Sequence, residues 1–255
     1  MARSLVLLHG FSGTRRAWDG VLAHLQPQRY LPVALDLPGH GAAARDGETI
    51  GFAGAVEHVL ANAPDRFELC GYSMGGRIAL HVALAAPERV SRLVLIAASA
   101  GIEDERERAR RRAADRALAL ELERIPFEEF IERWRAQPLF AHDPPHVGEL
   151  AREDQRRNRP APLAAALRGI GTGEMAPLWG RLGELRMPVI ILAGTRDQKF
   201  RALGARMAAL APDAQLVVIE GGHALALERP EMVAALLEGP RSEHAGRAGA
   251  TAPAR

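Results

Sequence analysis

Short, continuous apolar runs alternate with helical patterns along the first hundred residues. Leu5–Leu8, Leu31–Leu35, Phe67–Tyr72 and Leu93–Ala97 are apolar enough to be strands buried on both faces. Between them, Met74–Ala86 carries the clearest helical pattern. Continuous strands separated by helices predict a parallel sheet covered on both sides. From Gly101 to Gly183 the strand runs vanish. Helical periodicity takes over, through Ala117, Leu118, Leu120 and Leu122 and then Phe127, Phe130, Ile131 and Trp134. Strands return at Pro188–Ala193 and Leu216–Ile219. A helix over Phe200–Leu210 lies between them, and Glu231–Leu237 closes the fold. The expected organisation is an α/β core over residues 1–100 and 184–238, with about six mainly parallel strands. A helical cap over 101–183 is inserted after the fourth strand. A disordered tail is expected over 239–255, where Gly, Ala, Pro and Arg dominate and apolar periodicity is absent.

Composition narrows the function classes. A chain of 255 residues fits one domain with an inserted subdomain. No apolar run approaches the roughly 18 residues that cross a bilayer. Met1-Ala2-Arg3-Ser4 leads straight into the first strand without a signal-peptide pattern, so a cytoplasmic protein with no membrane partner is expected. The single cysteine, Cys70, allows no intramolecular disulfide and reads as a buried strand thiol. No Cys, His and carboxylate cluster has zinc-site spacing, so neither a metal nor a cofactor is expected. The net charge of +2 is too small to argue for nucleic acid. The Arg-dense stretch 106–116 is interleaved with Glu107 and Asp115 and follows Glu103 and Glu105. It reads as a solvated helix face. The basic residues are nearly all arginine, Lys199 being the only lysine.

The chemistry begins at Gly71-Tyr72-Ser73-Met74-Gly75-Gly76, a Gly-x-Ser-x-Gly sequence that ends a strand run and opens a helix. That context is the nucleophile elbow of the α/β-hydrolase fold. A sharp strand-to-helix turn forces the residues two before and two after the serine together, which calls for glycine. His9-Gly10-Phe11 ends the first strand. The N–H groups of Phe11 and Met74 are therefore the expected oxyanion hole. Val189–Ala193 runs into Gly194-Thr195-Arg196-Asp197, and the last strand runs into Glu220-Gly221-Gly222-His223. Asp197 and His223 are thus delivered to the same sheet edge as Ser73, in the chain order expected of this fold. His223 is read as the base that takes the serine proton and Asp197 as the group that fixes its tautomer. His9 and His40 lie in loops at this edge and read chiefly as loop structure.

Further motifs are more specific. They are Gly71-Tyr72-Ser73-Met74-Gly75-Gly76-Arg77, the Glu/Arg-rich stretch through Asp115, and Trp134-x-x-Gln137-Pro138-Leu139-Phe140. Leu167-Arg168-Gly169-x-Gly171-Thr172-Gly173 and Gly194-Thr195-Arg196-Asp197-Gln198-Lys199-Phe200 complete the set. Together they resemble the MenH family, the 2-succinyl-6-hydroxy-2,4-cyclohexadiene-1-carboxylate synthases of menaquinone biosynthesis, from Leu5 to about Glu238. The resemblance implies a lyase that eliminates pyruvate from 2-succinyl-5-enolpyruvyl-6-hydroxy-3-cyclohexene-1-carboxylate, with Ser73 acting as a base rather than forming an acyl-enzyme. Such a small-molecule tricarboxylate calls for cations in the site. Arg77, one helical turn after Ser73, is the first candidate, followed by Arg111 and Arg156, with Arg157 behind them. Tyr72 and Trp134 are expected to contact the ring or its carboxylates. Many relatives carry a second histidine shortly after the one at the position of His223, where this chain has Ala226. The alternatives are a carboxylesterase or a carbon–carbon bond hydrolase on the same triad, and a non-catalytic binding protein. Oligomeric state is not legible.

Overall fold

The computed structural model describes residues 2–239. The tail expected over 239–255 therefore lies, apart from Gly239, outside the described residues. Six strands form one sheet: β1 (Arg3–Leu8), β2 (Tyr30–Leu35), β3 (Phe67–Tyr72), β4 (Val90–Ile96), β5 (Val189–Gly194) and β6 (Ala214–Ile219). Their order is β2-β1-β3-β4-β5-β6, and every neighbouring pair is parallel. The helices in chain order are α1 (Asp19–His24), α2 (Phe52–Asn62), α3 (Met74–Ala85), α4 (Glu105–Leu122), α5 (Phe127–Arg135), α6 (Pro145–Gln155), α7 (Pro160–Ile170), α8 (Gln198–Leu210), α9 (Leu225–Glu228) and α10 (Pro230–Glu238).

The apolar runs are continuous because the sheet is covered on both faces. Successive strand side chains point to opposite sides. On β1, Val6 and Leu8 join a core built with α2, α3 and α8, while Leu5 and Leu7 join a second core with Trp18, Val21 and Val233 from the α1 and α10 side. Cys70 is wholly buried in that second core, and burial pushes its thiol upward in pKa. β4 starts at Val90, three residues before its apolar run. Ser91 and Arg92 break the pattern there because they are used as donors: the Ser91 hydroxyl bonds Phe67 O at 3.1 Å, and Arg92 bonds the carbonyls of Leu236 and Leu237 at the end of α10.

Helices α4 to α7 occupy the chain between β4 and β5. They have their own small core of Ala119, Leu122, Phe130, Leu163, Ala164 and Leu167. The apolar face expected on α4 is corrected in register. Asp115, Ala119 and Leu122 point inward, while Leu120 is 45% exposed. Asp115 takes an inward position because its carboxylate accepts from Gly173 N at 2.9 Å and from Arg111 Nε at 2.7 Å. No described helix is long and apolar enough to cross a membrane.

The strand order reverses at β1, with β2 on one side and β3 on the other. The loops that leave the carboxyl ends of β1 and β3 diverge there and open a crevice.

Candidate active site

Ser73 stands in that crevice at the junction of β3 and α3. Its backbone has φ 52 and ψ −108, a conformation that L-residues avoid. The two flanking glycines make it possible. A Cβ on Gly71 would lie 2.4 Å from Gly75 O, and one on Gly75 would lie 2.3 Å from Leu8 O. The turn is thus pressed against the end of β1, and the serine hydroxyl is held above the sheet edge.

The side chains of Asp197 and His223 arrive from the ends of β5 and β6. His223 Nε2 lies 3.2 Å from Ser73 Oγ, and its Nδ1 lies 2.7 Å from Asp197 Oδ2. Asp197 also caps α8, accepting from Phe200 N at 3.3 Å with its other oxygen. With Nδ1–H donated to the carboxylate, Nε2 presents a lone pair to the serine hydroxyl. Both His223 and Asp197 are buried. The imidazole is packed among the rings of Phe200, Tyr72 and Phe140, at centroid distances of 4.7, 5.4 and 6.2 Å.

Among the described residues, no protein acceptor takes the N–H of Phe11 or of Met74. Met74 is the first residue of α3, so its N–H is free by helix geometry and carries the positive end of the helix. Phe11 and Met74 both line a cavity of about 880 Å³ that also contains Ser73, Asp197 and His223. These groups can move a proton to and from a bound ligand and stabilise negative charge on a ligand oxygen.

Of the expected substrate contacts, Tyr72, Arg77, Arg111 and Trp134 line the cavity, and Arg156 does not. Arg77 is buried and donates to Ile170 O at 3.0 Å. Burial, and then the nearby Arg111, lower it to about 10. Trp134 packs against Phe11 and Phe140, with centroids at 4.9 and 6.0 Å, so it belongs to the cap core and the cavity wall together. The Tyr72 phenol is raised by burial, so it stays protonated. Arg156 lies on the outer surface, bound to Glu128 by both Nε and Nη2. It ends α6 on the face turned away from the cavity, which a helix-register argument from sequence could not resolve. Arg157 is likewise paired outside, with Glu153 at 3.2 Å.

His9 and His40 have structural partners. Leu37 N–H donates to His9 Nε2 at 3.0 Å and Ser12 N–H to His40 Nε2 at 3.2 Å. Their Nδ1 atoms face the carbonyls of Gly10 and Pro38. Both rings are therefore neutral Nδ1–H tautomers. Burial lowers both, His40 to about 3.

Several site residues escaped the sequence reading. Glu228 is buried, accepts from Gly222 N at 2.7 Å and pairs with Arg196, so it braces the loops of both His223 and Asp197. Asp143 lines the cavity and pairs with Arg135 at 2.6 Å within the cap. Burial raises Asp143, and Glu228 adds to the effect. Neither acid sits at a strand end or in a motif, so no pattern in the chain pointed to them. Lys199, which its place two residues after Asp197 had already singled out, also lines the cavity.

Comparison with known proteins adds to this geometry. A family model described as the alpha/beta hydrolase family matches residues 5–236. A 2-succinyl-6-hydroxy-2,4-cyclohexadiene-1-carboxylate synthase from Klebsiella pneumoniae is 35% identical over 239 residues, covering 91% of each chain. One from Salmonella schwarzengrund is 34% identical over 233 residues, covering 90% of each. Among solved structures, MenH from S. aureus superimposes with a TM-score of 0.87 at 32% identity, covering 93% of this chain and 92% of its own.

Proposed function

Because the chain belongs to the alpha/beta hydrolase family and, within it, to the MenH family, we propose that it eliminates pyruvate from 2-succinyl-5-enolpyruvyl-6-hydroxy-3-cyclohexene-1-carboxylate. The product is 2-succinyl-6-hydroxy-2,4-cyclohexadiene-1-carboxylate, an intermediate of menaquinone biosynthesis. The observation that carries this reading is the combination, in one cavity, of a Ser73–His223–Asp197 relay with the cations Arg77 and Arg111. A neutral ester gives no reason for a buried arginine one turn from the serine; a tricarboxylate does.

The substrate's own bonding sets the course of the reaction. The ring proton beside the succinyl carbonyl is acidic because its loss places charge on that carbonyl oxygen. His223 draws the proton from Ser73, and the serine oxygen takes the ring proton. Electrons from the broken C–H bond form the C2–C3 double bond, the existing C3–C4 double bond moves to C4–C5, and the C5–O bond breaks. The leaving enolpyruvate gains a proton at its methylene carbon and becomes pyruvate, and the proton held on His223 balances this uptake, which returns the imidazole to its neutral form. No bond to Ser73 forms. The N–H groups of Phe11 and Met74 stabilise the carbonyl oxygen while its charge develops. Asp197 holds the imidazole in the required tautomer and stabilises its charged form. Arg77 and Arg111 receive substrate carboxylates, and Tyr72 and Trp134 bound the ring.

Pyruvate release from the enolpyruvyl substrate, measured beside hydrolysis of p-nitrophenyl esters, tests the reading. Pyruvate release without an acyl-Ser73 species supports it. Fast ester turnover through such a species, with no pyruvate, points to a carboxylesterase instead.

A further inference from the structure

We infer that the C-terminal end of α6 and the turn that follows it set the loop that carries the Phe11 N–H, with Asn158, Gln155 and Asp154 acting as positioning residues. The inference rests on the oxyanion-hole role proposed above. The loop leaving β1 has no regular structure of its own, and Ser12 within it adopts φ 61. A non-glycine residue in that region costs on the order of 1 kcal/mol or more, so something must hold it.

Gly13 N–H donates to Gly10 O at 3.2 Å and closes a turn over Phe11 and Ser12, and the side chains that fasten this turn come mainly from the cap. Asn158 Nδ2 donates to Ser12 O at 2.8 Å, and Gln155 Nε2 donates to Ser12 Oγ at 2.8 Å. The Asp154 carboxylate accepts from Thr14 N at 2.7 Å and from the Thr14 hydroxyl. Asn158 Oδ1 also accepts from Gly41 N at 2.9 Å, tying in the turn that carries His40. His40 in turn accepts from Ser12 N–H. Both peptides flanking Ser12 are therefore clamped, one by a cap side chain and one through a turn held by that same side chain. The Phe11 N–H belongs to the preceding peptide, whose carbonyl, Gly10 O, accepts from Gly13 N–H at 3.2 Å and from His9 Nδ1–H at 2.8 Å. The Ser12–Gly13 peptide that Asn158 holds therefore reaches the oxyanion donor through Gly13 N–H. Asp154, Gln155 and Asn158 are all buried, which makes these bonds hard to replace with water.

The clamp is separate from the proposed substrate anchors. Arg77 is on α3 and Arg111 on α4. Loosening the clamp should therefore misplace an oxyanion donor without disturbing the carboxylate contacts. The expected signature is a fall in kcat with KM retained, since the donor acts on charge that appears only in the transition state.

The test uses Asn158→Ala, Gln155→Ala and the conservative Gln155→Glu. In the last, the Ser12 hydroxyl can turn and donate to the new carboxylate. Two rates are measured: pyruvate release, and covalent labelling of Ser73 by a fluorophosphonate, whose tetrahedral adduct uses the same donors. Removing an oxyanion donor outright costs about 100-fold or more, so misplacing one should cost about tenfold. We expect both rates to fall about tenfold in Asn158→Ala and Gln155→Ala, with KM within about twofold of wild type, and Gln155→Glu to recover part of the loss. If Asn158→Ala fails to fold, the two Gln155 variants decide. Unchanged rates in folded variants, or a loss confined to KM, overturn the inference. Wild-type protein that labels at Ser73 but releases no pyruvate contradicts the lyase reading alone, and the labelling rates still decide this one.

Discussion

The guanidinium of Arg77, one helical turn beyond Ser73, is held 3.0 Å from the carbonyl of Ile170 at the end of α7. Its partner is a dipole rather than a carboxylate, so its charge is left available to the cavity. Arg77→Met should raise KM for the enolpyruvyl substrate about tenfold or more, with kcat less affected. Thermal denaturation should register only the lost hydrogen bond, about 1 kcal/mol. Steady-state kinetics beside a melting curve separates the two effects, and parallel losses of stability and activity would count against the substrate role.

Asp197 faces His223 at 2.7 Å and fixes the proton on Nδ1. Asp197→Asn presents an amide that can hold the other tautomer, which places a proton on Nε2 where the Ser73 proton must go. A fall in kcat of several orders of magnitude is expected. Folding is retained because the Asn side-chain oxygen can still cap α8. Turnover close to wild type would remove Asp197 from the relay.

His40 is buried and neutral, lowered from 6.5 to about 3. The unfolded chain binds this proton more readily than the folded one, so stability rises with pH across the interval. The contribution is full above pH 6.5 and is lost progressively as pH falls toward 3, with a limiting slope of about 1.4 kcal/mol per pH unit for one proton. His40→Gln keeps an acceptor for Ser12 N–H and should flatten the acid limb of a stability–pH curve. An unchanged limb in that variant assigns the acid sensitivity to other groups.

Arg156 is paired with Glu128 on the outside of the cap. Arg156→Ala should leave both kcat and KM within about twofold of wild type, because exposed ion pairs carry little energy and the side chain is remote from the cavity. A large rise in KM would mean that the cap rearranges to bring it inward.

The parts of the site that lie at strand ends are legible in the sequence. Ser73, Asp197 and His223 each follow a continuous apolar run, and parallel strands deliver their carboxyl ends to one edge. The meeting at 3.2 and 2.7 Å follows from that topology. The cap was legible as helical but not in register. α4 is polar nearly all round, and its inward face includes Asp115, whose burial depends on a bond to Gly173 from a distant segment. The same ambiguity of register lets the sequence offer Arg156 as a site residue, while in the fold it stands outside, paired with Glu128. Glu228 and Asn158 were invisible for a related reason. Their partners, Gly222 and Ser12, are backbone or loop groups that only the assembled tertiary structure brings near.

In the proposed reaction Ser73 acts as a proton relay for the elimination of pyruvate. The most direct measurement of this role is pyruvate release from 2-succinyl-5-enolpyruvyl-6-hydroxy-3-cyclohexene-1-carboxylate by wild-type protein and by Ser73→Ala, with intact-protein mass recorded during turnover. Release by wild type, a loss of about 100-fold or more in the variant, and no mass increase on the enzyme are expected. Equal release by both proteins, or a covalent adduct on Ser73 that forms and decays with turnover, would contradict this role.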